Sequence, residues 1–464
     1  MTEQDEAVGH AVRAAYMYSG MVDVGTIGGV EPYLTAAGSI WDNVVSKKLY
    51  INGGIGALHS GESFGADYEL PNQTAYNETC AAIANIYWNY RQFLNSGDSK
   101  YYDVLERTLY NNVVSAIGMN GNTYFYPNPL AADGKYHFNN DNTIGRQGWF
   151  TCTCCLSSLT RFLPSVPGYM YAVGGAAAEG HAPQTPQIYV NLFAQSTAGI
   201  SLPGGKRVTL TQETAYPWEG KVTVAAAMEA PAAYALCIRI PGWARRQPVP
   251  SDLYSYADTD EGYTVSVNGT PVNVAPDAKG YAVISREWKD GDKVEVTFDM
   301  SPHRVVANGS VTADAGRMAF ERGPLVYCIE SPDNGGHDVY TAAVHPETDI
   351  NVVEGSAISV AAASDNRLTK LTKLTMPGVI TADGTEVETT LTAIPYYAWA
   401  NRGDATTMEV WVRTDGSIST GIMQTLGNTQ TEKAAATYNL MGQRVAGGAK
   451  GLVIRNGKIT VGGK

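Results

Sequence analysis

The sequence predicts a multidomain protein that is all-α in its first part and all-β afterwards. Apolar residues recur at helical spacing up to about residue 180, and short alternating β-type runs follow from Gln187 onwards. A length of 464 residues agrees with several domains, and a hydrophobic content of 44% is enough for ordinary globular cores. We therefore expect a helical domain followed by domains built from strands.

Four segments of the first part are predicted to be helical. One follows Gly9 and His10, and a second runs from Thr74 through Leu94. Residues 95–98 are expected to end the second helix and to cap a third that extends towards Ile117, and a fourth helix follows the paired cysteines at 154–155. Helix pairs joined by short loops are typical of an α/α toroid or a helical bundle.

The later part is predicted to form β-sandwiches. Residues 188–193, 207–211 and 293–298 are β-type runs, and strands separated by Gly/Pro turns continue to about residue 414. Residues 451–458 predict a hairpin with an Asn-Gly turn. The expected domains are residues 1–185 (helical), 186–330 (β-sandwich), 331–414 (a second β-sandwich or strands completing the first) and 415–464 (a linker and a small β module).

Charge and hydropathy exclude some functions. The net charge is −12 without basic clusters, which argues against binding of nucleic acid or of an anionic membrane surface. No apolar run approaches the length of a membrane span, and the charged first residues do not form a signal peptide.

Two short cysteine motifs contain the highest concentration of reactive and metal-binding side chains in the chain. The first contains Glu78 and Cys80, and the second contains Cys152, Cys154 and Cys155. One carboxylate and several thiols suit a single soft metal ion, for which Zn²⁺ is the natural expectation. A disulfide between Cys152 and Cys154, or a set of inert core thiols, would use the same residues, and the spacing alone leaves all three alternatives open.

Other polar residues near these motifs are candidates for the same site. Glu62, in a glycine-rich run, could supply acid/base chemistry beside a sulfur nucleophile, or it could be a surface or capping carboxylate. His10 could donate to a ligand hydroxyl or be a structural histidine, and Tyr126 could border a cleft or belong to the core. The two remaining cysteines, Cys237 and Cys328, are expected to be buried thiols in strands.

An ordered set of motifs resembles the zinc-thiolate β-L-arabinofuranosidases of glycoside hydrolase family 127 and its sister family 146. The resemblance covers roughly residues 5–413, and the conjunction of motifs is specific although no single motif is. The motifs lie at residues 9–13, 53–56, 61–65, 68–72, 76–81, 126–130, 149–150 with 154–155, and 394–403.

The resemblance implies a role for each candidate. Cys154 is similar to the nucleophile of the family, Glu62 to its general acid/base, and His10 and Tyr126 to residues that contact the sugar. Zn²⁺ is the implied cofactor, and the residues that resemble its ligands are Glu78, Cys80, Cys154 and Cys155. The implied fold is an (α/α)₆ barrel followed by β-sandwiches, of which residues 1–185 would supply the C-terminal part of the barrel.

The function implied is a retaining glycoside hydrolase that releases terminal β-L-arabinofuranose from plant glycans, so the expected partner is an arabinose-containing oligosaccharide or glycan. Two alternatives are a related hydrolase of another pectic side-chain sugar and a truncated, non-catalytic carbohydrate-binding protein. Two departures from the family motivate them. The chain lacks the long helical region that usually precedes the His10 motif, and Leu156, Ser157 and Ser158 stand where relatives usually show prolines and an asparagine.

The C-terminal tail predicts the location of the protein. Residues 438–464 resemble C-terminal modules of exported bacterial proteins. We therefore expect a periplasmic, cell-surface or secreted protein whose leader would lie in the N-terminal region that the chain lacks.

Overall fold

The structure, a computed structural model, describes residues 1–175, 185–258, 262–357, 370–403 and 405–418, and the backbone of short strands within residues 437–462. The chain divides into two compact units, Met1–Gly421 and Ile422–Lys464. No helix among the described residues is both long enough and apolar enough to span a membrane.

Helices are the main regular structure of the first part, as predicted. The α-helices are α1 Ala11–Gly28, α2 Glu31–Asn43, α3 Thr79–Ser96, α4 Lys100–Thr108, α5 Val114–Ala116 and α6 Cys154–Phe162. Helix α2 was not predicted from the sequence. Gly97 ends α3 in a left-handed conformation, with φ 69°, and the Asp98 side chain accepts a hydrogen bond from the backbone N–H of Lys100.

The second helix begins at Thr79, not at Thr74 as its apolar spacing predicted. Asn77 has a φ of 41°, and Glu78 is also non-helical, with ψ 137°. The N–H of Thr79 donates to the carbonyl of Tyr126 at 2.9 Å. The five residues before the helix are therefore a loop that is tied to the segment around Tyr126.

Strands dominate the chain after residue 170. They are β1 Ala131–Asp133, β2 Tyr171–Gly174, β3 Gln187–Val190, β4 Ser196–Ser201, β5 Arg207–Thr214, β6 Lys221–Ala227, β7 Ala232–Arg239, β8 Tyr254–Tyr256, β9 Tyr263–Val267, β10 Thr270–Val272, β11 Tyr281–Trp288, β12 Lys293–Phe298, β13 Pro302–Ala307, β14 Arg317–Arg322, β15 Leu325–Glu330, β16 Ala343–Val344, β17 Asn351–Ala357, β18 Lys370–Ala382, β19 Thr385–Pro395, β20 Thr407–Glu409, β21 Val412–Thr414, β22 Thr437–Asn439, β23 Arg444–Val445, β24 Gly451–Arg455 and β25 Lys458–Gly462. The predicted change from helix to strand is confirmed.

Two sheets share one apolar core, whose buried residues lie between positions 187 and 300. Their strand orders are β10-β9-β12-β6-β5-β4 and β11-β7-β3-β2. Strand β12 alternates as its sequence predicts, with Val294, Val296 and Phe298 buried and the residues between them more exposed. Buried residues from both sheets belong to the same cluster, as expected of two sheets packed face to face.

The largest sheet among the described residues has the order β1-β20-β15-β19-β18-β16-β21-β14-β13-β8, with β17 paired to β18. Strand β14 also pairs with β15, so the six strands from β15 through β19, β18, β16 and β21 to β14 form a closed ring. Residues on both sides of position 330 thus share this sheet. The predicted division into four domains stays a prediction.

Buried ion pairs join the helical part to the strands that follow. The guanidinium of Arg107, on α4, contacts both carboxylate oxygens of Glu321, on β14, and both residues are buried. Arg239, on β7, is fully buried and pairs with Asp103 and Glu106 of the same helix. Helix α4 is therefore joined by buried charged contacts to both β7 and β14.

Within the second unit, β24 pairs antiparallel with β25, with Arg455 opposite Lys458. The strands of the predicted hairpin are therefore present, and its Asn-Gly turn lies outside the described residues.

Candidate active site

The motif cysteines and Glu78 form one cluster. The Sγ atoms of Cys80 and Cys155 are 3.4 Å apart, and those of Cys154 and Cys155 are 4.0 Å apart. Glu78 Oε1 lies 3.6 Å from both Cys154 Sγ and Cys155 Sγ. One donor atom from each of the four residues lies within 4.8 Å of the other three.

Two helix starts create this cluster. Glu78 immediately precedes α3 and Cys80 lies in its first turn, while Cys154 and Cys155 open α6. The two helices pack together, and Ser158 of α6 reaches Cys80 at 3.5 Å. Backbone N–H groups at a helix start favour negative charge, which agrees with a thiolate at Cys154, the first residue of α6.

The four donors fit one tetrahedral metal ion. Zinc with Zn–S bonds of about 2.3 Å separates its sulfur ligands by roughly 3.8 Å, and the two measured sulfur pairs, at 3.4 and 4.0 Å, lie on either side of that value. The Glu78 Oε2 atom is buried and has no hydrogen-bond partner, although buried polar atoms normally have one. All six cysteines are free thiols, so none forms a disulfide.

The pKa of the Cys154 thiol is shifted in the opposite direction from the pKa values of Cys155 and Glu78. Contacts with Cys155 and then Cys80 hold the pKa of the Cys154 thiol well below its usual range. Burial raises the pKa of the Cys155 thiol, and burial together with the nearby Cys154 raises the pKa of Glu78 to about 8. These shifts favour the thiolate form of Cys154 and the protonated forms of Cys155 and Glu78, whose protons a divalent cation bound there would displace.

Cys154 is also the member of the cluster that has access to solvent. Its side chain is half-buried, whereas Cys80, Cys155 and Glu78 are buried. The Tyr126 hydroxyl lies 3.0 Å from Cys154 Sγ, and burial raises the pKa of that tyrosine, so it stays protonated and can donate to the sulfur. The structure therefore brings the predicted nucleophile and one predicted sugar-contacting residue together.

Glu62 lies beside two proton donors. Its backbone adopts φ 50°, a left-handed conformation uncommon for a residue other than glycine and frequent at functional sites. Its Oε2 atom is 2.9 Å from His10 Nε2, and its Oε1 atom accepts a hydrogen bond of 2.9 Å from the Tyr76 hydroxyl. Backbone pairing of His10 with Ser63 brings the two chain segments together.

Tyr76 was missed by the sequence reasoning as a site residue. Its ring lies 6.2 Å, centroid to centroid, from that of Tyr126 and packs edge-on against His59 at 4.7 Å. Glu62, Tyr76, Tyr126 and Cys154 thus form a continuous chain of contacts. Tyr76 lies two residues before Glu78 in the same sequence motif. This position could have identified it as a site residue.

The remaining cysteines differ in their surroundings. Cys152 is exposed, and its sulfur lies 3.7 Å from the Tyr126 hydroxyl, at the edge of the cluster. Cys237 and Cys328 are buried in strands β7 and β15, as predicted.

Sequence models of one family match three consecutive parts of the chain. Residues 1–168 match the catalytic domain of the GH127 β-L-arabinofuranosidases, residues 187–300 their middle domain, and residues 302–413 the C-terminal domain of glycoside hydrolase family 127.

Individual relatives agree with these matches. A non-reducing end β-L-arabinofuranosidase of Bifidobacterium longum subsp. longum is 33% identical over 428 residues, covering 86% of this chain and 58% of the relative. The solved structure of a GH127 β-arabinofuranosidase is 47% identical with a TM-score of 0.79, covering 90% of this chain and 62% of that one.

A third relative is a GH127 β-L-arabinofuranosidase from Geobacillus stearothermophilus T6. It is 34% identical with a TM-score of 0.77, over 89% of this chain and 62% of that structure. The chain thus spans about three fifths of the length of these relatives.

Proposed function

The chain belongs to glycoside hydrolase family 127, and we propose that it is a retaining glycoside hydrolase that releases terminal β-L-arabinofuranose from plant glycans. Cys154 would be its nucleophile and Glu62 its general acid/base. The names of the relatives support the sugar, since each is a β-arabinofuranosidase or a β-L-arabinofuranosidase.

The observation that carries the proposal is that a partly exposed cysteine sulfur and a partly exposed carboxylate are joined by one chain of contacts through Tyr126 and Tyr76. Cys154 Sγ accepts from Tyr126, and Glu62, 32% exposed, accepts from His10 and Tyr76. A nucleophile and an acid/base group that reach the same sugar are what a double displacement at a sugar carbon requires.

In the first step, the Cys154 sulfur attacks the anomeric carbon and the bond from that carbon to the glycosidic oxygen breaks. Glu62 gives its proton to the departing oxygen, so the aglycone leaves as an alcohol. In the second step, Glu62 takes a proton from water while the water oxygen bonds to the anomeric carbon. The carbon–sulfur bond breaks, Cys154 returns to its thiolate form, and the sugar leaves with its original anomeric configuration.

Zinc is the proposed cofactor, held by Glu78, Cys80, Cys154 and Cys155. When bound, it would keep the thiolate deprotonated near neutral pH and fix its direction. Three of the four ligands are buried.

His10 and Tyr126 are proposed to contact the sugar. The Nε2 atom of His10 faces Glu62, while its Nδ1 atom is buried without a hydrogen-bond partner. A sugar hydroxyl could provide that partner after a small rotation of the His10 ring. The Tyr126 hydroxyl would orient the sulfur towards the same sugar.

We also propose that residues 1–185 form part of an (α/α)₆ barrel. The support is the run of packed helices α1, α2, α3 and α4 and the match to the GH127 catalytic domain. Export to the periplasm or cell surface is proposed from the tail alone, and cell fractionation with an antibody to this chain would test it.

The proposed function is tested with four variants. Cys154→Ser and Glu62→Gln are each expected to lower kcat for an aryl β-L-arabinofuranoside by at least about a hundredfold. Cys237→Ser, at a buried thiol in β7, and Glu31→Gln, at an exposed carboxylate in α2, are the matched controls and should retain activity. Mass spectrometry of the Glu62→Gln variant should detect one pentosyl group on Cys154.

Different outcomes distinguish the alternatives. Full activity of Cys154→Ser or Glu62→Gln would contradict the assignment of roles. Hydrolysis of a different pentoside, with the same dependence on Cys154 and Glu62, would support a related pectic side-chain hydrolase. That alternative was motivated by Leu156, Ser157 and Ser158, which differ from the residues usual in the family. Oligosaccharide binding without turnover by the folded chain would support a non-catalytic carbohydrate-binding protein.

A further inference from the structure

A cavity that is separate from the cysteine cluster lies between the helical part and the large sheet. It has a volume of about 300 Å³ and is formed by the loop at residues 71–74, residues 130–131 and parts of the large sheet. The loop continues into Tyr76 and Glu78, and Leu130 donates its N–H to the carbonyl of Asn72. The cavity is thus built on the same two segments that carry the cysteine site, and none of its lining residues belongs to that site.

Three of its lining side chains carry a buried polar atom that has no hydrogen-bond partner. These are the Asn72 Oδ1, Tyr340 Oη and Glu409 Oε2 atoms. Glu409 itself is only 2% exposed. A buried polar atom without a hydrogen-bond partner costs free energy of folding. These atoms therefore favour a ligand that brings hydrogen-bond donors.

The charged side chains that line the cavity favour a neutral ligand. Arg317 donates to Glu409 Oε1 at 2.8 Å and to the Trp411 carbonyl at 2.7 Å. Among the lining residues there is one guanidinium and one carboxylate, and these two groups are paired with each other. An anion would meet Glu409, and a metal cation would meet the positive charge of Arg317.

The remaining walls suit a small ring. Tyr340, whose side chain is half-buried, provides aromatic surface, and Asn72 and Glu409 provide polar groups at other points of the lining. Pockets for small molecules begin at about 300 Å³ and combine apolar and aromatic walls with a few polar groups. A molecule of one or two sugar rings has the matching size, hydroxyl donors and absence of charge.

We propose that this cavity binds a neutral sugar unit, as a second carbohydrate site separate from the cysteine cluster. The proposal rests on the cavity and its unpartnered polar atoms, and it does not require the activity proposed above. Asn72, Tyr340 and Glu409 would exchange hydrogen bonds with sugar hydroxyls, and the Tyr340 ring would pack against the sugar ring.

The test is isothermal titration of the full chain with L-arabinose and with D-galactose, in the absence and presence of calcium. Ala313→Trp places a large side chain at the half-buried edge of the cavity and removes no polar group. Tyr340→Phe removes one unpartnered hydroxyl. Tyr234→Phe is the matched control, because its hydroxyl is also buried and unpartnered but lies in the core between residues 187 and 300.

The expected result is that Ala313→Trp loses one equivalent of sugar binding and that Tyr340→Phe weakens it about tenfold. Tyr234→Phe should bind as the wild type does. This loss is expected even if the cysteine site binds no sugar, so failure of the proposed activity would be distinguishable. Unchanged sugar stoichiometry in an Ala313→Trp variant of wild-type thermal stability would overturn the proposal, as would calcium binding at this cavity without sugar binding.

Discussion

The Sγ atoms of Cys80 and Cys155 lie 3.4 Å apart although 75 residues separate them in the chain. A disulfide would join the sulfurs at about 2.05 Å, so the two thiols are in contact without a bond. With Cys154 and Glu78 at similar distances, the four groups could hold one metal ion. Helices α3 and α6 meet through this contact.

Loss of one of these thiols should remove the metal. Cys155→Ser is expected to lower zinc affinity by at least about tenfold and to lower the melting temperature, because the metal contributes to stability only in the folded state. Elemental analysis of zinc per chain and thermal denaturation with and without a chelator provide the measurements. Cys328→Ser, at a buried thiol in β15, should keep the zinc of the wild type. Equal zinc content in the two variants would contradict the ligand assignment.

Tyr126→Phe should slow the reaction while leaving the zinc in place. Its hydroxyl is 3.0 Å from Cys154 Sγ, and a hydrogen bond to a charged group is worth about 1.5–3 kcal/mol. We expect kcat for an aryl β-L-arabinofuranoside to fall by roughly 10- to 100-fold. Tyr124→Phe is the control, because that hydroxyl makes no hydrogen bond to Cys154. A Tyr126→Phe variant as active as the control would show that the contact has no role in turnover.

The buried pair of Arg107 and Glu321 should stabilise the junction between helices and strands. Glu321 also accepts a hydrogen bond of 2.8 Å from the Tyr256 hydroxyl. Glu321→Gln or Arg107→Met alone leaves a buried group without its charged partner, and each is expected to cost about 3–5 kcal/mol. The double variant should be less destabilised than the sum of the two, which thermal denaturation of all four proteins would measure. Additive losses would mean that the two charges are not coupled.

Stability should depend on pH through Asp314. Burial raises the pKa of this carboxyl from its ordinary value of 3.8 to about 7, although Asn72 donates a hydrogen bond of 2.8 Å to it. Between these pH values the folded chain holds a proton that the unfolded chain releases. The stabilisation is therefore complete at pH values below about 4 and is lost as pH rises towards about 7.

The measurement is the melting temperature at about pH 5 and about pH 7.5 for the wild type and Asp314→Asn. Asn cannot titrate, so the wild type should lose more stability than the variant over this interval, by roughly 1–4 kcal/mol. Asp349→Asn, at an exposed position, should follow the wild type. Parallel curves for the wild type and Asp314→Asn would contradict the assignment.

The sequence predicted the elements that depend on local pattern. Alternation in residues 293–298 predicted strand β12 with its buried face, and Gly97 was expected to help end a helix. The start of α3 was predicted five residues too early, because apolar spacing continues through residues 74–78. A long-range contact, from the Thr79 N–H to the Tyr126 carbonyl, accompanies the loop there.

The sequence by itself determined the residue types that can hold a metal and donate protons, since thiols, carboxylates and hydroxyls have fixed chemistry. Only the tertiary structure decided which of them meet. Glu62 faces Tyr76 because a left-handed backbone turns its carboxylate that way, and Cys80 faces Cys155 because α3 packs on α6. Such contacts depend on the packing of segments far apart in the chain, which periodicity within one segment does not specify.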